Sequence, residues 1–169
     1  MKFSKKLLVS AAKIVRRCAK KKWKIATAES CTGGLIAACI TEIPGASKVF
    51  QQGYITYSDS SKNKILNVSI NSIRKFGAVS KEVAILMAKG LYSKNKCDLS
   101  VSVTGIAGPS GGRRDKPVGL TYIALKSEKI NFCGKFLFSG DRRKIRLAAL
   151  EKTILMISKL MSGKVSSNF

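Results

Sequence analysis

The chain moves between two hydrophobic rhythms. Phe3, Leu7, Ala11, Ile14/Val15 and Cys18 recur at helical spacing, which predicts an amphipathic first helix with a polar, basic outer side. Runs rich in β-branched and aromatic residues then predict strands at Lys24–Ala28, Gly53–Tyr57, Leu99–Thr104, Gly119–Lys126 and Ile130–Phe138. The third strand, Leu99-Ser100-Val101-Ser102-Val103-Thr104, alternates strictly between apolar and polar. Only Ser127-Glu128-Lys129 separates the last two, so a hairpin and at least one antiparallel pair are expected.

Helical segments fall between the strands. Gly33–Glu42 is small and apolar and stops near Pro44-Gly45, and Ser58–Leu66 follows the second strand. Ser80 is placed to cap a helix running through Ser93, with Glu82 in its first turn. Asp141 is placed to cap a long last helix, in which Leu147, Leu150, Ile154, Ile157/Ser158 and Met161 trace one face before Gly163. This alternation predicts an α/β fold: a three-layer α/β/α sandwich on a mixed, mostly parallel sheet of about five strands. It forms a single domain over residues 1–163, with residues 164–169 as a frayed tail.

Composition narrows the chemistry. The 169 residues contain no histidine, which excludes a Ser-His-Asp triad, a Cys-His pair and any histidine metal ligand. Acid–base work falls to Lys, Tyr, Cys or a carboxylate. The five cysteines (Cys18, Cys31, Cys39, Cys97, Cys133) form no CxxC and read as free thiols in a reducing compartment, without a structural zinc. The first 28 residues hold ten Lys/Arg and no acid, but their apolar run stops at Ala12-Lys13. That is too short for a secretion-signal core or a membrane span, so the cytoplasm is the expected location.

The net charge is +23, from 32 Lys+Arg against 9 Asp+Glu. The cations are spread along the whole chain, and no zinc finger, RNA-binding aromatic signature or GxxG clamp accompanies them. A drift toward Lys, Ile, Asn and Ser gives the same excess without any partner. Binding to mixed-sequence DNA is therefore expected to be weak, without sequence preference, and lost steeply between about 50 and 200 mM salt. A footprint on one sequence that persists at high salt overturns this.

Four polar segments lie just beyond predicted strand ends, where α/β sites form. The first is Thr27-Ala28-Glu29-Ser30-Cys31-Thr32-Gly33-Gly34. Ser30 sits there in a small-residue turn at a helix start, suited to an oxyanion or phosphate, or equally an N-cap serine packed among glycines. The second runs from Gly53 to Lys62. Tyr57 and Lys62 are five residues apart across a strand–helix junction and can face one cleft, although a solvated lysine fits the same pattern. The third is Val103-Thr104-Gly105-Ile106-Ala107-Gly108-Pro109-Ser110-Gly111-Gly112 with Lys116-Pro117-Val118-Gly119. Six Gly or Pro between Gly105 and Pro117 let the backbone approach a ligand closely. The fourth is Gly140-Asp141-Arg142-Arg143, with Arg146 one turn on. An arginine there suits a phosphate or carboxylate, or is plain surface.

Taken with Pro44-Gly45-Ala46-Ser47 and Gly77-Ala78-Val79-Ser80, these segments resemble the CinA C-terminal domain family, the nicotinamide-nucleotide amidohydrolases. The resemblance covers roughly Leu7 to Leu160, and the additional N-terminal domain of many relatives is not seen, so it points to the stand-alone form. It implies deamidation of nicotinamide mononucleotide to nicotinate mononucleotide and ammonia, with no metal and no cofactor. It casts Ser30 as nucleophile, Lys62 as its base and Tyr57 as a proton relay or orienting group. Thr104 and Arg142 hold the substrate or the charged intermediate, beside Gly105, while N–H groups across Cys31, Thr32, Gly33 and Gly34 receive the oxyanion. Asp59, Asn67 and Ser110 depart from the family pattern without removing a group this chemistry needs. The expected partner is a small nucleotide substrate, not a membrane or a specific nucleic acid, and a homo-oligomer is expected. The competing reading is a catalytically degenerate nucleotide-binding or basic nucleic-acid-associated module.

Overall fold

The computed structural model describes residues 3–162. The tail expected at 164–169 and the stop at Gly163 lie outside them. Along the chain run α1 (Lys5–Lys21), β1 (Ile25–Glu29), α2 (Leu35–Thr41), β2 (Phe50–Ile55), α3 (Asp59–Leu66), α4 (Ile70–Phe76), α5 (Lys81–Lys94), β3 (Leu99–Gly105), β4 (Leu120–Lys126), β5 (Asn131–Leu137) and α6 (Arg142–Met161). One 3-10 turn, Ala46–Lys48, precedes β2.

The five strands form one sheet in the order β2-β1-β3-β4-β5. β1 pairs parallel with β2 and β3, while β4 is antiparallel to both β3 and β5. Four strands therefore share one direction and only β4 opposes them. This is the mixed, mostly parallel sheet expected. Helices α1, α2 and α6 pack together on one face, and α3, α4 and α5 cover the other. No helix among the described residues is long and apolar enough to cross a membrane.

Local chemistry explains most boundaries. Ser4 accepts from Leu7 N to cap α1, whose inner face buries Leu7, Ala11, Ile14, Val15 and Cys18 as predicted. Ser80 and Asp141 cap α5 and α6 by accepting from Val83 N and Lys144 N. The alternation in β3 does not mark a solvent face, because β3 is central and covered on both sides. Ser100 and Ser102 are fully buried, and their hydroxyls donate to Ala88 O and Ala84 O of α5 at 2.7 and 2.6 Å. Gly90 lets α5 lie against the end of α3, since a Cβ there would sit 1.8 Å from Leu66 O.

Two expectations need correction. β2 spans Phe50–Ile55 rather than Gly53–Tyr57. It is an edge strand with exposed Gln51 and Gln52, and a bulge opposite Ile25/Ala26 shifts its register. Its end is drawn back because Ser58 and Ser61 form a capping box that starts α3, leaving Thr56 and Tyr57 in the connection. Helix α4 was not anticipated. It has no side-chain cap and buries only Ile73, so little in its sequence marks it.

Candidate active site

Because β1, β2 and β3 are parallel, their carboxyl ends share one edge of the sheet. The chain leaves β1 toward β2 on one side and returns as β3 on the other. This is the switch point where α/β clefts open. Ser30 follows β1, Thr56 and Tyr57 follow β2, and Thr104 is the next-to-last residue of β3. The backbone ties all three ends together, with Ser30 N donating to Val103 O and Thr56 N to Glu29 O.

Lys62 is the central side chain. It sits one turn into α3 and is only 1% exposed. Its Nζ lies 3.4 Å from Ser30 Oγ and donates to Thr56 O at 3.0 Å and Tyr57 O at 3.3 Å. Among the described residues no carboxylate pairs with it; the one ion pair joins Arg113 and Asp115 at the surface. Burial lowers the Lys62 pKa from its ordinary 10.5, opposed by Asp59 and Cys31. Arg142 is not one of the charges that act on it. That guanidinium donates instead to Gly108 O and to the Tyr57 hydroxyl, both at 2.9 Å.

The three neighbours of Lys62 Nζ define what its neutral form can do. Two are carbonyl oxygens, which only accept and so take the two N–H bonds of an amine. The third is a hydroxyl, which can give its proton to the remaining lone pair. The neutral amine is thus oriented as a base toward Ser30.

The serine turn has an unexpected keeper. Glu29 ends β1 and is 1% exposed. Its carboxylate accepts from Gly34 N (3.0 Å), Ile36 N (3.1 Å) and Ala37 N (2.9 Å), closing the start of α2. The helix start therefore does not stand open to an anion, contrary to the expectation for this turn. Of the four N–H groups assigned to an oxyanion, Gly34 N is held by Glu29 and Gly33 N donates to Ser30 O at 3.0 Å. The N–H groups of Cys31 and Thr32 remain. Both lie close enough to the Cys31 sulfur to favour its thiolate, but burial outweighs them and pushes the thiol up to about 12. Cys31 is therefore a protonated, packed thiol rather than a reactive one. Gly105 seats it, since a Cβ there would come within 3.1 Å of its sulfur.

The other predicted residues fall into two groups. Ser30, Lys62, Cys31, Thr32, Gly33 and Gly34 come together, and the Thr32 hydroxyl is buried without a hydrogen-bond partner. Tyr57 is 58% exposed, and its hydroxyl is bonded to Arg142, not to the serine or the lysine. Thr104 is buried with its hydroxyl donating to Ala78 O at 2.9 Å, which leaves it acceptor lone pairs only. Next to it a cleft of about 240 Å³ opens between the Gly77–Val79 turn and the glycine-rich loop at Ile106 and Gly111, flanked by Arg113 and Lys116. A larger cavity of about 430 Å³ between α1 and α6 includes none of the predicted site residues. Among the described residues no cluster of acids and thiols could hold a metal ion.

Glu29 and Arg146 hold the serine turn, a role that sequence reasoning did not give them. Arg146 Nε donates to Cys31 O at 3.0 Å and its Nη2 to Thr32 O at 2.8 Å. The available signal for Glu29 was an acid ending a buried strand, which needs hydrogen-bond donors close by.

The family described as CinA C-terminal domain matches residues 8–161. The competence-damage inducible protein of Caldanaerobacter subterraneus subsp. tengcongensis is 42% identical over 151 residues, covering 89% of this chain and 37% of that protein. The CinA-like protein of Endomicrobium trichonymphae is 45% identical over 142 residues, covering 84% and 33% respectively. The chain thus spans about a third of the length of the curated relatives it matches. Among solved structures, the competence/damage inducible protein CihA from Agrobacterium tumefaciens superposes with a TM-score of 0.92 at 36% identity, covering 95% of this chain and 98% of that one. A CinA superfamily protein from Escherichia coli superposes with a TM-score of 0.87 at 28% identity, covering 96% and 94%.

Proposed function

The chain belongs to the CinA C-terminal domain family, and from that premise we propose that it is a serine amidohydrolase that deamidates nicotinamide mononucleotide to nicotinate mononucleotide. The observation that carries this reading is the buried Lys62 amine, without an acidic partner, 3.4 Å from the Ser30 hydroxyl. Ser30 gives its proton to Lys62 and its Oγ attacks the amide carbon. The carbonyl electrons move to oxygen, which rests on the N–H groups of Cys31 and Thr32. When the tetrahedral centre collapses, the C–N bond breaks and the nitrogen takes the proton from Lys62, leaving as ammonia. Water then gives a proton to Lys62 and attacks the acyl carbon. The C–Oγ bond breaks, Ser30 takes the proton back from Lys62, and the acid departs as the carboxylate after giving its own proton to solvent.

The rest of the nucleotide is assigned to the cleft between the Gly77–Val79 turn and the glycine-rich loop, a loop that Arg142 holds at Gly108 O while its other amino group meets the Tyr57 hydroxyl. To bind a phosphate there, Arg142 must exchange two neutral acceptors for charged oxygens, which is favourable for a guanidinium. Mass-spectrometric detection of nicotinate mononucleotide from nicotinamide mononucleotide tests the proposal directly. Binding of the nucleotide without turnover would support the degenerate alternative.

Cys31 stands next to Ser30 and is the rival nucleophile. With its thiol held up near 12, Cys31→Ala is expected to keep a substantial fraction of the activity in the same assay. A loss as complete as that of a serine variant moves the nucleophile one residue along.

A further inference from the structure

The serine turn is gripped from two sides by groups that the deamidation scheme does not use. On one side Glu29 accepts from three N–H groups at the start of α2. On the other, Arg146 reaches from α6 and donates to two successive carbonyls, Cys31 O at 3.0 Å and Thr32 O at 2.8 Å. A planar guanidinium presents Nε and Nη2 as a fixed pair of donors, a match for two adjacent carbonyls that a lysine cannot reproduce.

The grip on these carbonyls also sets the direction of two N–H groups. In a trans peptide the C=O and the following N–H point to opposite sides. With Thr32 O held toward α6, the Gly33 N–H must face away from it, and it is found on Ser30 O at 3.0 Å. With Cys31 O held toward α6, the Thr32 N–H faces away in the same manner. Among the described residues that N–H meets no oxygen acceptor, only the Cys31 sulfur, and it is one of the two left for an oxyanion. Gly33 allows this closeness: it has φ +58°, and a Cβ there would stand 3.2 Å from Arg146 Nη2.

We infer that Arg146 is a positioning residue, which with Glu29 fixes the pose of Ser30 and aims the Thr32 N–H at the site of the developing oxyanion. It acts through the turn and touches neither the substrate nor the lysine. The inference rests on Ser30 being the nucleophile, and its test separates the two claims.

The test uses the full chain and two readouts: steady-state deamidation, and the rate at which diisopropyl fluorophosphate modifies Ser30, followed by intact mass. Arg146→Ala is expected to lower kcat about 100-fold, the scale of a misplaced reacting group, with KM holding. Labelling of Ser30 should slow in parallel. Arg146→Lys should recover only part of the loss, and millimolar guanidinium should restore part of the Arg146→Ala activity, which a merely structural role would not give. Arg143→Ala, one exposed arginine away, should match the parent chain. Unchanged kcat and labelling in Arg146→Ala, or a raised KM with kcat intact, overturns the inference. If Arg146→Ala does not fold, the decision passes to Arg146→Lys, and full activity there overturns it. A parent chain that neither deamidates the nucleotide nor takes label at Ser30 instead removes the serine reading beneath it.

Discussion

Ser30→Ala is expected to lower turnover of nicotinamide mononucleotide by roughly 10³-fold or more, while binding of the nucleotide changes little. The size follows from what is left in the site. Without Oγ the Lys62 lone pair faces a gap, and its two N–H bonds stay on Thr56 O and Tyr57 O. The nearest alternative nucleophile is the Cys31 thiol, held up near 12 and so protonated at any working pH. Water could enter the vacated space and use Lys62 as its base, which sets the residual rate. Folding should survive, because the turn is held by Glu29 and Arg146 rather than by the serine side chain. Binding should survive because Arg142 and the cleft beside Thr104 are untouched. A fall of 10³ corresponds to about 4 kcal/mol of transition-state stabilisation, so the result is not confused with a packing effect. Turnover by mass spectrometry and binding by calorimetry on one preparation decide it, and a variant within about tenfold of the parent chain sinks the serine mechanism.

What could be read from the sequence follows from which signals are local. Caps are local, and Ser4, Ser58, Ser80 and Asp141 start the helices that their positions suggest. The approach of Lys62 to Ser30 was implied by the family resemblance, because the spacing alone fits a solvated lysine as well. Tertiary assignment is not local. Arg142, Arg143 and Arg146 share the first turns of one helix, and only the docking of α6 against α2 decides which of them faces the serine turn. Glu29 reads as an ordinary acid until α2 is folded back to offer it three donors. Tyr57 was expected to share a cleft with Lys62 and, by the resemblance, to relay protons or orient the serine, but its hydroxyl turns to Arg142, a residue 85 positions away in the sequence.

The pH dependence of Lys62 variants carries the second large effect. A base must be neutral to act, and burial favours the neutral amine by lowering its pKa from 10.5. Activity is therefore expected to rise with pH until the depressed Lys62 pKa is passed and then to level off. Lys62→Arg should abolish it at every accessible pH, because a guanidinium cannot accept the serine proton and must also fit a site that is 1% exposed. Lys62→Met is one heavy atom shorter, fills most of the same space and removes the titration, so it should be equally inactive but no less stable at neutral pH. Stability gives an independent reading of the same group. Between the folded-state pKa of Lys62 and 10.5 the unfolded chain binds the extra proton, so stability rises with pH across that window, and below it the burial penalty is constant. The thiols of Cys18, Cys31, Cys39, Cys97 and Cys133, pushed up to about 11 or 12, act in the opposite direction above 9.0. Both proteins carry these thiols, so the difference in unfolding free energy between the parent chain and Lys62→Met isolates the lysine. That difference should favour Lys62→Met at neutral pH and shrink toward 10.5. An active Lys62→Arg enzyme, or a difference that does not change with pH, rules out a neutral lysine as the base and leaves Tyr57, beside Arg142, to take the proton.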